Sequence, residues 1–78
     1  MVKPMGMLLT SGQIEGMGEL EFETMPRIGE VVTKNDDKGI GQAYQVVQVF
    51  HSATGDGSDI FLKHIGTDLD ARINLERA

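Results

Sequence analysis

Two runs of strand-forming residues, separated by a polar loop, constrain the fold more than any other feature of the sequence. Residues 26–32 begin with proline, pass through Gly29 and end on two valines, and residues 44–51 form a longer valine-rich run. A proline at the entry and a glycine turn before β-branched residues are typical of a strand that follows a tight turn. Residues 35–41 between the runs are dense in turn formers. The pattern therefore predicts the central hairpin of a small, strongly bent sheet, with Gly29 at a positive φ.

The second run does not alternate simply. Strict alternation from Tyr44 would place Gln48 on the buried side of the strand. One extra residue near positions 47–48 avoids this and is what a β-bulge supplies, together with a local bend. In the bulged strand, the residues predicted to be buried are Tyr44, Val46, Val49 and His51.

Three further segments have strand patterns. Residues 7–10 predict a strand that turns at residues 11–12, and residues 59–65 predict another. Residues 19–24 alternate strictly, which buries Leu20 and Phe22 and exposes three glutamates. Proline and glycine in residues 1–6 indicate a loose leader.

Residues 67–78 fit two structures. Asp68 is suited to cap a short helix with Leu69, Arg72, Ile73 and Glu76 at helical spacing. Residues 71–75 also alternate as a strand, and we favour the strand because a small barrel needs a fifth one. The predicted core consists of Leu20, Phe22, Ile28, Val32, Tyr44, Val46, Val49, Ile60 and Leu62.

Length and composition narrow the classes of protein. Seventy-eight residues predict a single domain of marginal stability, spanning residues 1–78. The sequence has no cysteine, which fits a cytoplasmic protein and excludes disulfides and thiolate zinc sites. The net charge of −5 opposes binding to nucleic acid or to anionic lipid, and no apolar run is long enough to span a membrane.

No motif predicts catalysis or a cofactor. The glycine pairs at residues 39–41 and 55–57 lack the spacing of a phosphate-binding loop, and the nearby acidic loops lack that of a calcium loop. The sequence has two histidines, His51 and His64, and each lies near the end of a predicted strand. Histidine is the residue type most often used as an acid, a base or a metal ligand. We interpret both as rim histidines, weak candidates for a function, and predict no enzyme, no metal and no cofactor.

The sequence P-R-I-G-E-V-V at residues 26–32, followed by Y-Q-V-V-Q-V at residues 44–49, resembles small uncharacterised bacterial and phage-type proteins with an SH3-like barrel. The resemblance covers roughly residues 20–65, and the long loop at residues 35–41 departs from the pattern. It implies an all-β fold: a small, partly open SH3-like barrel of five or six short strands, with or without a short C-terminal helix. It implies nothing about activity, since fold is not function.

The strand at residues 59–65 is apolar on both sides and predicts a contact surface. Ile60 and Leu62 point one way and Phe61 and Ile65 the other, so one pair must find cover outside the core. We predict a homodimer whose interface includes Phe61, Ile65, Met7 and Leu9. In a rival arrangement, a monomer folds its N-terminal segment over Phe61 and Ile65. The expected function is a non-enzymatic interaction or structural module that binds protein, its own copy included; the alternatives are an accessory nucleic-acid-binding barrel and, more distantly, a small hydrolase.

Overall fold

The computed structural model describes residues 1–55 and 57–77 and shows a mainly β protein. Within these residues, five strands precede one helix. The elements are β1 (Met5–Thr10), β2 (Gln13–Glu19), β3 (Val31–Asn35), β4 (Gly41–His51), β5 (Ser58–Thr67) and α1 (Asp68–Arg77). The prediction of a small β-rich fold is confirmed.

The strands form one sheet in the order β2-β1-β5-β4-β3. β1 and β5 run parallel, and the other neighbours are antiparallel. β2 and β3 are the edges of the sheet and are not paired with each other, so in the described part of the chain it does not close into a barrel. Met17 near one edge and Val32 at the other line the same depression, with Leu62 between them. The sheet therefore bends until its two edges face each other across the core.

The predicted central hairpin is present. β3 pairs with β4 antiparallel, and the turn before β3 already bonds to β4: the Gly29 amide donates to the Val46 carbonyl at 2.7 Å, and the Val46 amide donates to the Glu30 carbonyl at 2.9 Å. Gly29 has a φ of 94°, as the turn pattern predicted. Ile28, placed in the predicted core, is 60% exposed instead, because it lies at the tip of this turn.

The predicted bulge in β4 is also present. Val46 pairs with Leu62 and Gln48 with Phe61, which leaves Val47 as the extra residue. Val46 is fully buried, and Tyr44 and Val49 pack against the core as expected. The prediction for His51 is wrong. His51 shares a depression with Val49 but is exposed, because it forms the last pair of the β4–β5 ladder, beyond the core.

The core lies inside the bend of the sheet. Its buried side chains are Leu20, Val46, Ile60 and Leu62, and the partly buried ones around them are Met17, Phe22, Met25, Val32, Tyr44 and Val49. The two methionines were not predicted, because nothing in their sequence neighbourhood has a strand period.

The prediction of a continuous strand over residues 19–24 is wrong, although Leu20 and Phe22 do face the core. The β1–β2 ladder continues in the same register to one isolated bridge between Val2 and Phe22. Between the end of the ladder and this bridge, the Leu20 amide donates to the Pro4 carbonyl at 2.9 Å, but proline has no N–H with which to form the second bond of the pair. The same contacts correct the loose leader predicted for residues 1–6: Pro4 is fully buried, and β1 begins at Met5.

The tail forms the helix and not the favoured strand. The Thr67 hydroxyl accepts a hydrogen bond from the Asp70 amide at 3.1 Å, so Thr67 caps α1 in place of the predicted Asp68. Asp68 and Asp70 lie in the first turn, where carboxylates are stabilised by the helix dipole. These local interactions need no partner strand, whereas a sixth strand would have had to pair at a sheet edge. α1 packs against the end of the β4–β5 ladder, where Gly41 and Gly66 leave room for the helix.

Candidate functional site: an apolar outer face of the sheet

The central strand β5 has two apolar faces. Ile60 and Leu62 are fully buried in the core. Phe61 between them points to the opposite, convex side and is only partly buried. The sequence prediction of two apolar faces on this strand therefore matches the geometry of these three residues.

Strand β1 extends the outer face on one side of β5. Met5 pairs with Asp59, Met7 with Phe61 and Leu9 with Lys63. Because paired residues of neighbouring strands share a face of the sheet, the two methionines and the leucine lie on the side of Phe61. Met5 is 42% exposed and Leu9 38%.

Strand β4 extends the outer face on the other side. The Phe50 ring meets the Phe61 ring edge to face, with centroids 5.1 Å apart, and Phe50 remains 52% exposed. Edge-to-face geometry is a favourable arrangement for two rings. The bulge residue Val47 lines a shallow depression together with Leu9 and Lys63, which places its side chain on this face as well.

We call this surface the outer patch and define it by six residues: Met5, Met7, Leu9, Val47, Phe50 and Phe61. Gln48, which pairs with Phe61, lies on the same face among them. Apolar side chains exposed together are common at contact sites, because leaving them in water costs free energy. The arrangement offers shape and apolar area, and no reactive group lies among its members.

Three of the four predicted interface residues belong to the outer patch: Met7, Leu9 and Phe61. The fourth, Ile65, lies beside it. Ile65 is the extra residue of a second bulge, because Ala43 pairs with Gly66 and Tyr44 with His64. It lines a groove between the sheet and α1, along with Val31 and Ala71.

Val47 and Phe50 are patch residues that sequence analysis did not name. The signal for both was present, since a bulge that turns Val46 and Val49 inward also turns the residues beside them outward. The rival arrangement, with the N-terminal segment folded over Phe61, is not what forms. Residues 5–10 lie beside β5 in the same sheet, and Val2 pairs with Phe22 on the far side of the core.

His64 takes part in a hydrogen-bond chain that holds the β3–β4 loop. Its Nε2 lies 2.8 Å from Gln42 Oε1, and Gln42 Nε2 donates to Asp36 Oδ2 at 3.0 Å. Since the Gln42 amide donates to the carboxylate, its oxygen faces the imidazole, and His64 Nε2 must carry the donated hydrogen. The other Asp36 oxygen accepts the Lys38 and Ile40 amides. The backbone hydrogen bond from Ile40, followed by that from Gln42, lowers the pKa of Asp36.

The structure does not bring His51 and His64 together. They lie at opposite ends of the β4–β5 ladder, and His51 is close to Ser58, with 3.2 Å between Nδ1 and the hydroxyl oxygen. His51 is exposed beside a loop, and among the described side chains no carboxylate hydrogen-bonds its ring to complete a catalytic set. Among the side chains that the structure describes, no three histidine, cysteine or acidic groups are placed together as metal ligands.

No helix in the described part of the chain is long and apolar enough to cross a membrane. No protein-family model matches the chain, and no curated protein or solved structure matches it either.

Proposed function

We propose that this protein is a non-enzymatic interaction module that binds protein through the outer patch, its own copy included. One observation carries the proposal: two phenylalanine rings and two β1 side chains stay partly in water on a part of the sheet face that no described element of the chain covers. A chain this short has few apolar residues to spare for its core, so apolar area left outside the core is costly unless a partner removes it from water.

A protein partner suits the surface better than the other classes. The outer patch presents apolar side chains from three neighbouring strands, and partly buried aromatic and methionine side chains are enriched where proteins meet. A nucleic acid would require basic residues between exposed rings, whereas the chain carries twelve acidic and seven basic residues. The SH3-like relationship stays a prediction, supported by the short turn-and-strand motif alone. A cytoplasmic location belongs to the same proposal, because a chain without cysteine needs no oxidising compartment.

The proposal is tested by the size of the protein in an extract of cells that express it. We expect the intact chain to elute from a size-exclusion column well above its mass of 8.5 kDa. Phe61→Glu should shift it toward that mass, because the substitution puts a charge at the centre of the outer patch. Ile28→Glu is the matched control: it adds the same charge at a 60% exposed side chain on a turn outside the patch, and should leave the elution unchanged. Elution of the intact chain at 8.5 kDa would contradict the proposal.

A further inference from the structure

We infer that the partner of the outer patch is a second copy of this chain. The two copies pack sheet face to sheet face, and their two-fold axis lies between the sheets and passes over Phe61 at right angles to β5. This inference rests on the proposed function, and it adds the identity of the partner and the geometry of the contact. Its basis is the position of two charges on the central strand.

Asp59 and Lys63 flank Phe61 symmetrically. Each lies two residues from Phe61, roughly 7 Å along the strand, and β5 has no bulge between Ser58 and His64. Alternation therefore places both on the face that carries Phe61, and Lys63 lines the same depression as Leu9 and Val47. Neither charge forms an ion pair within the described part of the chain. The centre of the outer face thus presents one negative and one positive group, equally spaced about an aromatic ring.

Two-fold symmetry turns this spacing into self-complementarity. In a dimer with identical surfaces in contact, residue i of one copy meets residue j of the other, and j meets i. An axis lying between the sheets and running across the strands reverses the direction of β5. Phe61 then meets its own copy, while Asp59 of each chain meets Lys63 of the other. Stacked sheets lie roughly 10 Å apart, which a lysine side chain can bridge to a carboxylate.

The charges also exclude the other simple arrangement. An axis lying between the sheets but running along the strands would place Asp59 on Asp59 and Lys63 on Lys63. Like charges facing each other across an interface are strongly unfavourable. The arrangement with crossed pairs has two attractions in their place. On β1 its apolar contacts match as well, since Met5 on the Asp59 row of one copy meets Leu9 on the Lys63 row of the other, and Met7 meets Met7. On β4, Phe50 on the Asp59 row meets Gln45 on the Lys63 row.

Charge reversal tests the inference directly. Asp59→Lys and Lys63→Glu each convert two attractive pairs into two repulsive ones, so each should weaken dimerisation by about tenfold or more at low salt. The double variant D59K/K63E recreates both pairs with the charges exchanged and keeps the net charge of −5, so it should dimerise within about threefold of the wild type. Sedimentation equilibrium from 1 to 100 μM, on the order of the affinity expected for a modest interface, measures these constants.

Two controls separate the specific pairs from general charge and from misfolding. Lys38→Glu changes the net charge as Lys63→Glu does, but in the exposed β3–β4 loop, and should dimerise like the wild type. Mixing the two single variants should produce a heterodimer, because each positive charge of the D59K chain then faces a negative charge of the K63E chain. That result needs both variants folded, and circular dichroism on each variant checks this separately.

Each outcome decides the inference. Dimerisation that is weakened by each single change and restored in the double variant and in the mixture supports it. A wild-type monomer at 100 μM, dimerisation indifferent to the single reversals, or a double variant no better than its parents would each overturn it. If the purified protein is monomeric while Phe61→Glu still removes a large complex from the extract, the outer patch binds a different protein and the proposed function stands. If both experiments give a monomer, both proposals fail.

Discussion

Gly6 is the position where the structure gives the sharpest prediction for stability. It is buried in β1, and a Cβ atom placed on it would lie 2.7 Å from Leu20 Cδ1, 3.2 Å from Leu20 Cγ and 3.2 Å from Met17 Cβ. A separation under 3.0 Å is a steric clash, so something must move. Leu20 belongs to the buried core cluster, so moving its Cδ1 disturbs the side chains packed against it. Gly6→Ala should therefore strain the core on its inner side.

Two opposing terms set the magnitude. Replacing glycine by alanine restricts the unfolded chain and contributes about 0.4–1 kcal/mol in favour of folding. Overpacking a filled core costs about 1–3 kcal/mol. The clash should prevail, so we expect a net loss of about 0.5–2 kcal/mol in the free energy of unfolding of Gly6→Ala.

Gly16→Ala is the matched control, because it isolates the first term. Gly16 lies on β2 opposite Met7, its φ is not positive, and a Cβ atom there meets nothing within 4 Å. This variant should be as stable as the wild type or more stable by up to about 1 kcal/mol. Urea denaturation followed by circular dichroism, at one protein concentration because association adds stability, compares the three proteins. A Gly6→Ala protein as stable as Gly16→Ala would refute the packing argument.

Three further predictions rest on the turns and on charge. Gly29→Val should lower the free energy of unfolding by about 1–3 kcal/mol through backbone strain alone, since φ is 94° and no atom lies near the added Cβ. Gly29→Asn should cost less, because asparagine tolerates a positive φ better, and equal thermal midpoints for the two variants would contradict this. Hydrogen bonds lower the pKa of Asp36 in the folded state, so ionised Asp36 stabilises the fold fully above its ordinary pKa of 3.8. This stabilisation should be lost as pH falls through the lower folded pKa, and the difference in thermal midpoint between wild type and Asp36→Ala should close there. Generic DNA and RNA should not bind at physiological salt, and salt-sensitive micromolar binding in a fluorescence-polarisation titration would show otherwise.

The central hairpin and its bulge could be predicted because their signals are local. Proline, a turn glycine and β-branched residues specify the turn before β3, and the misplaced Gln48 in simple alternation revealed the bulge. The strand over residues 19–24 could not be judged locally. Its alternation is perfect, but its partner is Pro4, far away in sequence, and only the pairing shows that one hydrogen bond is missing.

The candidate site divides in the same way. The two apolar faces of β5 follow from its own residues, so Phe61 was identified from sequence. The neighbours of Phe61 follow from the parallel pairing with β1 and from the offset that the bulge in β4 introduces. The register of each pairing depends on two segments that are distant in sequence, so one segment alone does not predict it. The strand predicted for the tail is wrong for the opposite reason. Thr67 and two aspartates favour the helix locally, whereas the predicted strand rests on the need of a small barrel for a fifth strand, which Gln13–Glu19 already supplies.

The parallel pairing of β1 with β5 has a consequence for how this chain reaches its native state. β1 and β2 form one local hairpin, and β3, β4 and β5 form a meander, so each half gains most of its pairing from nearby sequence. The halves join through a ladder between Met5–Thr10 and Ser58–Thr67, near opposite ends of the chain. Closing so long a loop is entropically costly, so the joining step should limit the folding rate. During synthesis, β1 and β2 leave the ribosome before β5 does, so one edge of β1 stays unpaired until β5 emerges.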